Sequence, residues 1–327
     1  MAKAAAVGTL ILTFGFMLHP AAAANKMSGA ALDEVLAWLS TKPAVVPGDA
    51  ARNEMMKKLD APFLEDTAVL NSAVGKYFKA RMKAFTADIA ATAAPVGGHV
   101  IVWKLYNMGT VMKSGEATIA FDLISGRDKV KWTSEDLKKT IGACDALVIT
   151  HSHLDHADMT VAKKFLAAGK TVVTPPGIWE KLPGMGGITL LRDGTIDIKG
   201  VKLTAFPGFQ SETMNNVYLI EFPGGVKVLD TGDENGKAYP TGGGWLAGVR
   251  PPRNVDLLMF NSWSAIMKEI LAAFPAKMLM PAHEHELTHG PQSRSSYEEM
   301  ISTSESLGVP YVLMAWGERF EVSPDRD

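Results

Sequence analysis

One cysteine, Cys144, is the entire thiol content of this 327-residue chain. An internal disulfide is therefore excluded, and with it a disulfide-stapled fold. Cys144 lies in 143–149, the approach to a buried strand, and reads as a small core residue, not a reactive thiol. The chain also lacks a dominant charge. Its 33 Lys and Arg against 35 Asp and Glu leave a formal net charge of -2. Without a strongly basic surface, no nucleic-acid partner is expected. Histidine is scarce: there are eight, with none between His19 and His99 and none between His156 and His283. After the first two dozen residues no long uncharged apolar run occurs, so no later membrane span is expected.

What is present divides along the chain. Lys3 precedes the uncharged run 4–18, and Ala22-Ala23-Ala24 offers a small-residue cleavage site before Asn25. This pattern reads as a signal peptide over 1–24, giving a periplasmic or secreted product with no membrane attachment after cleavage. The chain is 47% hydrophobic and 21% charged, a globular composition. Residues 25–97 carry helical spacing, with Leu32, Val35, Leu36 and Leu39, then Leu70, Val74, Tyr77, Phe78, Met82, Phe85 and Ile89. Lacking His and Cys, this extension reads as a packing layer, or as a lid or dimerisation element. Residues 94–98 form its boundary.

From 98 to 327 the texture becomes mixed. Strands are expected at 99–106, 117–123, 146–150, 171–173, 201–206, 216–222, 226–229, 255–260, 277–280 and 310–314. Helices are expected at 134–141, with Ser134 as N-cap, and at 158–168, 265–274 and 295–307. Pro223-Gly224-Gly225 marks a hairpin turn, and the glycines at 242–244 a mobile loop ahead of Trp245. Strands alternating first with hairpins and then with helices fit two sheets flanked by helices.

The chemistry concentrates in His151-Ser152-His153-Leu154-Asp155-His156, directly after an apolar strand. Imidazole and carboxylate are the donors that zinc, manganese or iron take. In a loop at a strand end, His151 and His153 can face one way and Asp155 and His156 another, so two cations could share one loop. Chance would produce this pattern in only about 3 of 10,000 such chains, so it is read as functional.

The motif resembles that of the metallo-β-lactamase superfamily. Leu229-Asp230-Thr231-Gly232-Asp233 and Met280-Pro281-Ala282-His283 are similar to the family's later strand-end motifs, in the same order. The Pro-x-His close is nearest to the group containing ascorbate-phosphate lactonase. The resemblance covers about residues 98–322. It implies a four-layer αββα sandwich of the α/β (α+β) class, preceded here by the helical extension. It implies that His151 and His153 hold a first divalent metal, zinc by preference, with manganese or iron as alternatives. Asp155, His156 and His283 would hold a second, and Asp233 would lie between them. Asp155 would orient an activated water, or act as general base if one metal is absent.

This chain departs from the family in one place. The third histidine of the first site is missing, and Gln210 stands nearest its position. Gln210, His285 or His289 could replace it; His285 and His289 are four apart, as on one helix face. Glu284 and Glu286 read as solvated charges. Asp122 and Asn107 sit in loops that could border the site, and Asn261-Ser262-Trp263 follows a strand and could contact substrate; turn chemistry or packing is the alternative for all of them. The expected function is an exported metal-dependent hydrolase acting on an ester, lactone, amide or phosphoester of a small-molecule substrate. The competing readings are a non-catalytic metal- or ligand-binding protein with a degenerate first site, and an iron redox protein of the same fold.

Overall fold

The computed structural model describes residues 20–41, 45–65, 68–127, 130–236 and 244–324. Most of the expected signal peptide therefore lies outside the described residues, as do positions 242 and 243 of the expected mobile loop. The described residues begin with helix α1 (Pro20–Thr41), which spans the expected cleavage site. Among the described residues no helix is long and apolar enough to cross a membrane.

The helical extension comprises α1, α2 (Ala50–Lys57), α3 (Asp60–Leu64) and α4 (Ala68–Ala91). Its spacing places Leu32, Val35 and Leu39 of α1 and Val74, Tyr77, Phe78, Met82, Phe85 and Ile89 of α4 in the interior. These side chains pack into the main core. The Phe63 ring stacks 4.9 Å from Trp316, with Tyr77 and Phe78 edge-on to the same indole. On α4, Phe85 meets Trp103, whose Nε1 donates to Asp88 at 2.7 Å.

Two sheets follow. The first contains β1 (Val100–Lys104), β2 (Thr110–Lys113), β3 (Thr118–Phe121), β4 (Ala146–Val148), β5 (Thr171–Thr174), β6 (Ile188–Leu190) and β13 (Arg319–Val322), in the order β13-β1-β2-β3-β4-β5-β6. The second contains β7 (Gly194–Ile198), β8 (Val201–Gln210), β9 (Thr213–Glu221), β10 (Lys227–Asp230), β11 (Val255–Asn261) and β12 (Ala276–Ala282), in the order β12-β11-β10-β9-β8-β7. Strand alternation sorts the faces. Val100, Val102, Ile119, Phe121 and Val148 meet Leu203, Tyr218, Ile220, Val228 and Leu257 between the sheets. Ile101, Trp103, Leu147, Leu229 and Leu258 belong to the second cluster, shared with the helices. Burying one such side chain contributes about 1.5–3 kcal/mol, so the alternation fixes the register. Helix α5 (Ser134–Ala143) packs on α4, α6 (Met159–Ala167) on β4 and β5, and α8 (Tyr297–Ser306) on β12. A shorter helix, α7 (Met267–Ala273), joins β11 to β12. The result is the expected αββα sandwich.

Several local expectations change. The N-cap of α5 is Thr133, whose Oγ1 accepts from Asp136 N at 3.1 Å; Ser134 is already helical. The expected strand at 310–314 makes only an isolated bridge, Tyr311 with Leu279. The closing strand is β13, which pairs antiparallel with β1. β2, β6 and β7 were not anticipated. β6 and β7 are largely exposed edge strands, so burial imposes no apolar alternation on them. No helix carries His285 and His289: between β12 and α8 lies only a short 3₁₀ turn, Pro291–Ser293.

Candidate metal centre

The ends of β3, β4, β10 and β12 meet the β8–β9 hairpin at one edge of the sandwich. After β4 the chain turns sharply, closed by His156 N donating to His153 O at 3.0 Å, and Asp158 then caps α6. Asp122, just past β3, organises this turn. Its Oδ1 accepts from Thr150 N at 2.8 Å, and its Oδ2 accepts from Thr150 Oγ1 at 2.6 Å and from His156 Nδ1 at 2.7 Å. A carboxylate only accepts, so His156 carries a proton on Nδ1 and turns Nε2 toward Asn107 Nδ2 at 3.1 Å and the carboxylates of Asp155 and Asp233. Thr150 Oγ1, having donated to Asp122, accepts from His151 Nδ1 at 3.0 Å, which bares Nε2 of His151. Asn107, in the β1–β2 turn, donates from Nδ2 to Asp155 Oδ2 at 2.9 Å.

After β10 the chain crosses Gly232, at φ 50°. A Cβ there would lie 2.5 Å from Asn215 Oδ1 and 2.8 Å from Thr150 Cβ, so only glycine allows this approach. Asn215 Oδ1 accepts from Asp233 N at 3.0 Å, and Asn261 Nδ2 donates to Gly232 O and Glu234 O at 3.1 Å. Asp233 is thereby fixed between the two histidine pairs. After β12, His283 adopts φ 68°.

Two donor groups result: Asp155, His156, Asp233 and His283, and His151, His153 and Asp233. In each, the donor atoms lie within 4.8 Å of one another. Asp233 Oδ2 is 3.2 Å from His283 Nε2, 3.3 Å from His156 Nε2 and 3.7 Å from His151 Nε2. Yet His151 Nε2, His283 Nε2 and both Asp233 oxygens are buried without an aligned hydrogen-bond partner. Buried polar atoms left so are rare, and a shared cation would satisfy all of them. The charge field agrees. Burial opposes protonation of His283, but Asp233 and Asp155 outweigh it and push its pKa up to about 10. Burial also opposes charge on His156, and the carboxylates of Asp233, Asp155 and Asp122 again prevail. Burial would raise Asp155 and Asp233, but the facing His156 and His283 hold both far below the usual carboxylate range. His151, buried beside His156, is held neutral. The cluster attracts positive charge, and its donor set fits one or two divalent ions.

The remaining sequence candidates separate. Gln210 ends β8; its Oε1 is buried without a partner, and it lines a cavity of about 540 Å³ with His283, Ser262, Trp263 and His289. His289 lies 3.5 Å from Glu286 through Nδ1. His285 is turned away: its Nε2 is 2.7 Å from Asp60 Oδ1 of α3, and its ring packs on Phe63. Glu284 and Glu286, expected to be solvated, are buried. Glu284 pairs with Lys104 at 2.8 Å, and Glu286 accepts from Tyr106, Thr288 and His289 N. His99 faces Glu321, and Cys144 is buried at the end of α5. Thr213, Asn215, Lys104 and Asp60 were not anticipated. Only the Asn215-Asn216 pair inside a strand carried a signal, since asparagine is depleted there.

No protein-family model matches the chain. A UPF0173 metal-dependent hydrolase of Rubrobacter xylanophilus is 33% identical over 118 residues, which are 31% of this chain and 47% of that protein. The chain thus matches about half the length of that curated relative. Among solved structures, a metallo hydrolase from the hyperthermophilic archaeon Ignicoccus hospitalis is similar with a TM-score of 0.56 and 18% identity, over 69% of this chain and 100% of that one. A diiron β-hydroxylase from Streptomyces venezuelae reaches 0.50 and 17%, over 71% and 55%. The chain has the metallo-β-lactamase-like fold.

Proposed function

We propose that this chain is an exported metal-dependent hydrolase that acts on a small-molecule ester, lactone, amide or phosphoester. The observation carrying this reading is the pair of donor groups that share Asp233, with four of its buried atoms otherwise unpartnered. When bound, divalent ions, zinc by preference for these nitrogen and oxygen donors, supply Lewis acidity and an activated water. The chain does the rest. Asp122 sets the tautomers of His156 and, through Thr150, of His151. Asn107 restrains Asp155, which remains an ionised carboxylate able to orient a water through its proton. Trp263 stands 5.6 Å from His283, edge-on, and walls the adjoining cavity. Export rests on Lys3, the apolar run 4–18 and the alanines at 22–24.

Metal analysis of the purified mature protein, with hydrolysis of a chromogenic ester, lactone, amide and phosphoester panel before and after chelation, tests the reading. Activity lost on chelation and restored by metal is expected, and Asp155→Asn should depress it. Protein that stays folded and takes up no divalent metal would sink the proposal. N-terminal sequencing should begin at Asn25, and a retained Met1 would refute export by this route. A second reading, binding without catalysis, draws on the two-imidazole first group; metal uptake without turnover of any panel member would favour it.

A further inference from the structure

The first group, His151, His153 and Asp233, has three donors where the second has four. The β8–β9 hairpin lies against it. Residues directly paired across an antiparallel ladder project to the same face, and so do residues two apart on one strand. Gln210 pairs with Thr213, and Gly208 with Asn215. Three of these four positions reveal where their shared face points. Thr213 Oγ1 lies 3.2 Å from His153 Nε2. Asn215 Oδ1 accepts from Asp233 N, and the Asn215 backbone pairs with that of His151 at the end of the ladder. A Cβ on Gly208 would come within 2.2 Å of Glu234 Oε2, next to Asp233 in sequence. Gln210 therefore projects on the face that looks at His153 and the Asp233 loop, beside His151. The hairpin is held there: Phe209 N donates to Glu234 Oε2 at 2.8 Å, and Ser211 N to Asn235 Oδ1 at 3.3 Å. Gln210 Oε1 is buried and finds no protein partner. Of the two other candidates, His285 is held by Asp60, and His289 Nδ1 lies 3.5 Å from Glu286.

We infer that the Gln210 side-chain amide is the fourth donor of the first site, through Oε1, so that the two sites of one centre differ in kind. This rests on the metal centre proposed above. The second site would have two imidazoles and two carboxylates. The first would have two imidazoles, one shared carboxylate and a neutral amide oxygen. An amide oxygen binds zinc poorly and suits harder ions such as Mn²⁺. The second site is then the permanent one, and the first fills and empties with the free concentration of a harder divalent ion.

Equilibrium dialysis of the full mature protein against Zn²⁺ or Mn²⁺, read by elemental analysis, tests this in wild type, Gln210→Ala, Gln210→His and His289→Ala. Wild type should keep one equivalent through mild chelation and bind a second more weakly. Gln210→Ala should weaken the second equivalent, and Gln210→His should strengthen it for zinc, each by about tenfold or more, since even outer-shell changes move affinity by about 10–100-fold. His289→Ala should leave both equivalents unchanged. If neither Gln210 variant moves the second equivalent, or if His289→Ala removes it, the inference is overturned while the metal centre stands. If wild type retains no first equivalent, the proposed function fails, and this inference with it.

Discussion

Asp122 touches no cation site directly, yet one atom exchanged on it should disable a histidine in each donor group. Asp122→Asn keeps the shape and replaces one acceptor oxygen by an NH₂ donor. If that NH₂ takes the place of Oδ2, it faces His156 Nδ1 and Thr150 Oγ1, which both donate to Oδ2 in the wild type. His156 must then accept on Nδ1, which puts its proton on Nε2, where a ligand needs a lone pair. Thr150 Oγ1, turned into an acceptor from the new amide, donates its own proton to His151 Nδ1, which places the ring proton of His151 on Nε2 too. If the amide flips, its oxygen keeps both histidine tautomers but the NH₂ meets Thr150 N–H, leaving a buried donor unsatisfied at a cost of about 1–3 kcal/mol. Metal binding then needs the flipped amide and carries that cost.

Outer-shell partners of this kind change affinity by about 10–100-fold, or about 1.4–2.7 kcal/mol per site. Asp122→Ala is the control. It deletes three buried hydrogen bonds to a charged group and should cost the fold about 3–6 kcal/mol, allowing for non-additivity. It does not force a tautomer, however, so Asn should harm metal affinity more than its smaller effect on stability suggests. Chelator competition gives the affinities, and urea unfolding of metal-free protein gives the stabilities. Wild-type metal affinity in Asp122→Asn would refute the tautomer argument. Loss at the second site alone would refute the relay through Thr150 to His151.

Other perturbations follow from the same contacts. Asp60→Ala removes the acceptor of His285 Nε2 and of Tyr297 N, both at 2.7 Å, and should destabilise the protein by about 2–4 kcal/mol in urea unfolding; no loss would mean the helical extension does not brace this turn. Lys104→Met leaves Glu284 buried without its cation and should cost about 3–5 kcal/mol, most of it recovered by adding Glu284→Gln. An additive double variant would deny that the two charges are coupled. Cys144, whose thiol burial pushes up to about 12, should resist iodoacetamide at pH 8 until the protein is unfolded, and rapid native labelling would contradict its placement.

The parts of this molecule legible in sequence are those whose signal is local. Periodicity identified the buried faces of α1 and α4 because burial repeats every three to four residues within one element. The donors stood out because three histidines and an aspartate fall within six residues, and Asp233 and His283 each end an apolar run. The structure brings all of these donors together. Most of what holds them could not be read, because those supports come from distant parts of the chain. Asp122 is 34 residues from His156, and Asp60 is 225 residues from His285. Glu284 and Glu286 read as solvated because residue type favours exposure, and Lys104 and Tyr106, folded against them from β1 and the turn after it, overturn that reading. The same holds for the backbone at His283 and His285, at φ 68° and 45°. Non-glycine residues there carry roughly 1–3 kcal/mol of strain each, which persists only where surrounding contacts over-determine it. Here those contacts are the Lys104–Glu284 pair, Asp60 on His285, and His285 N on Ser295 O at 2.9 Å. The extension before residue 98, which has no donor of its own in the centre, thus shares in fixing the turn that carries His283.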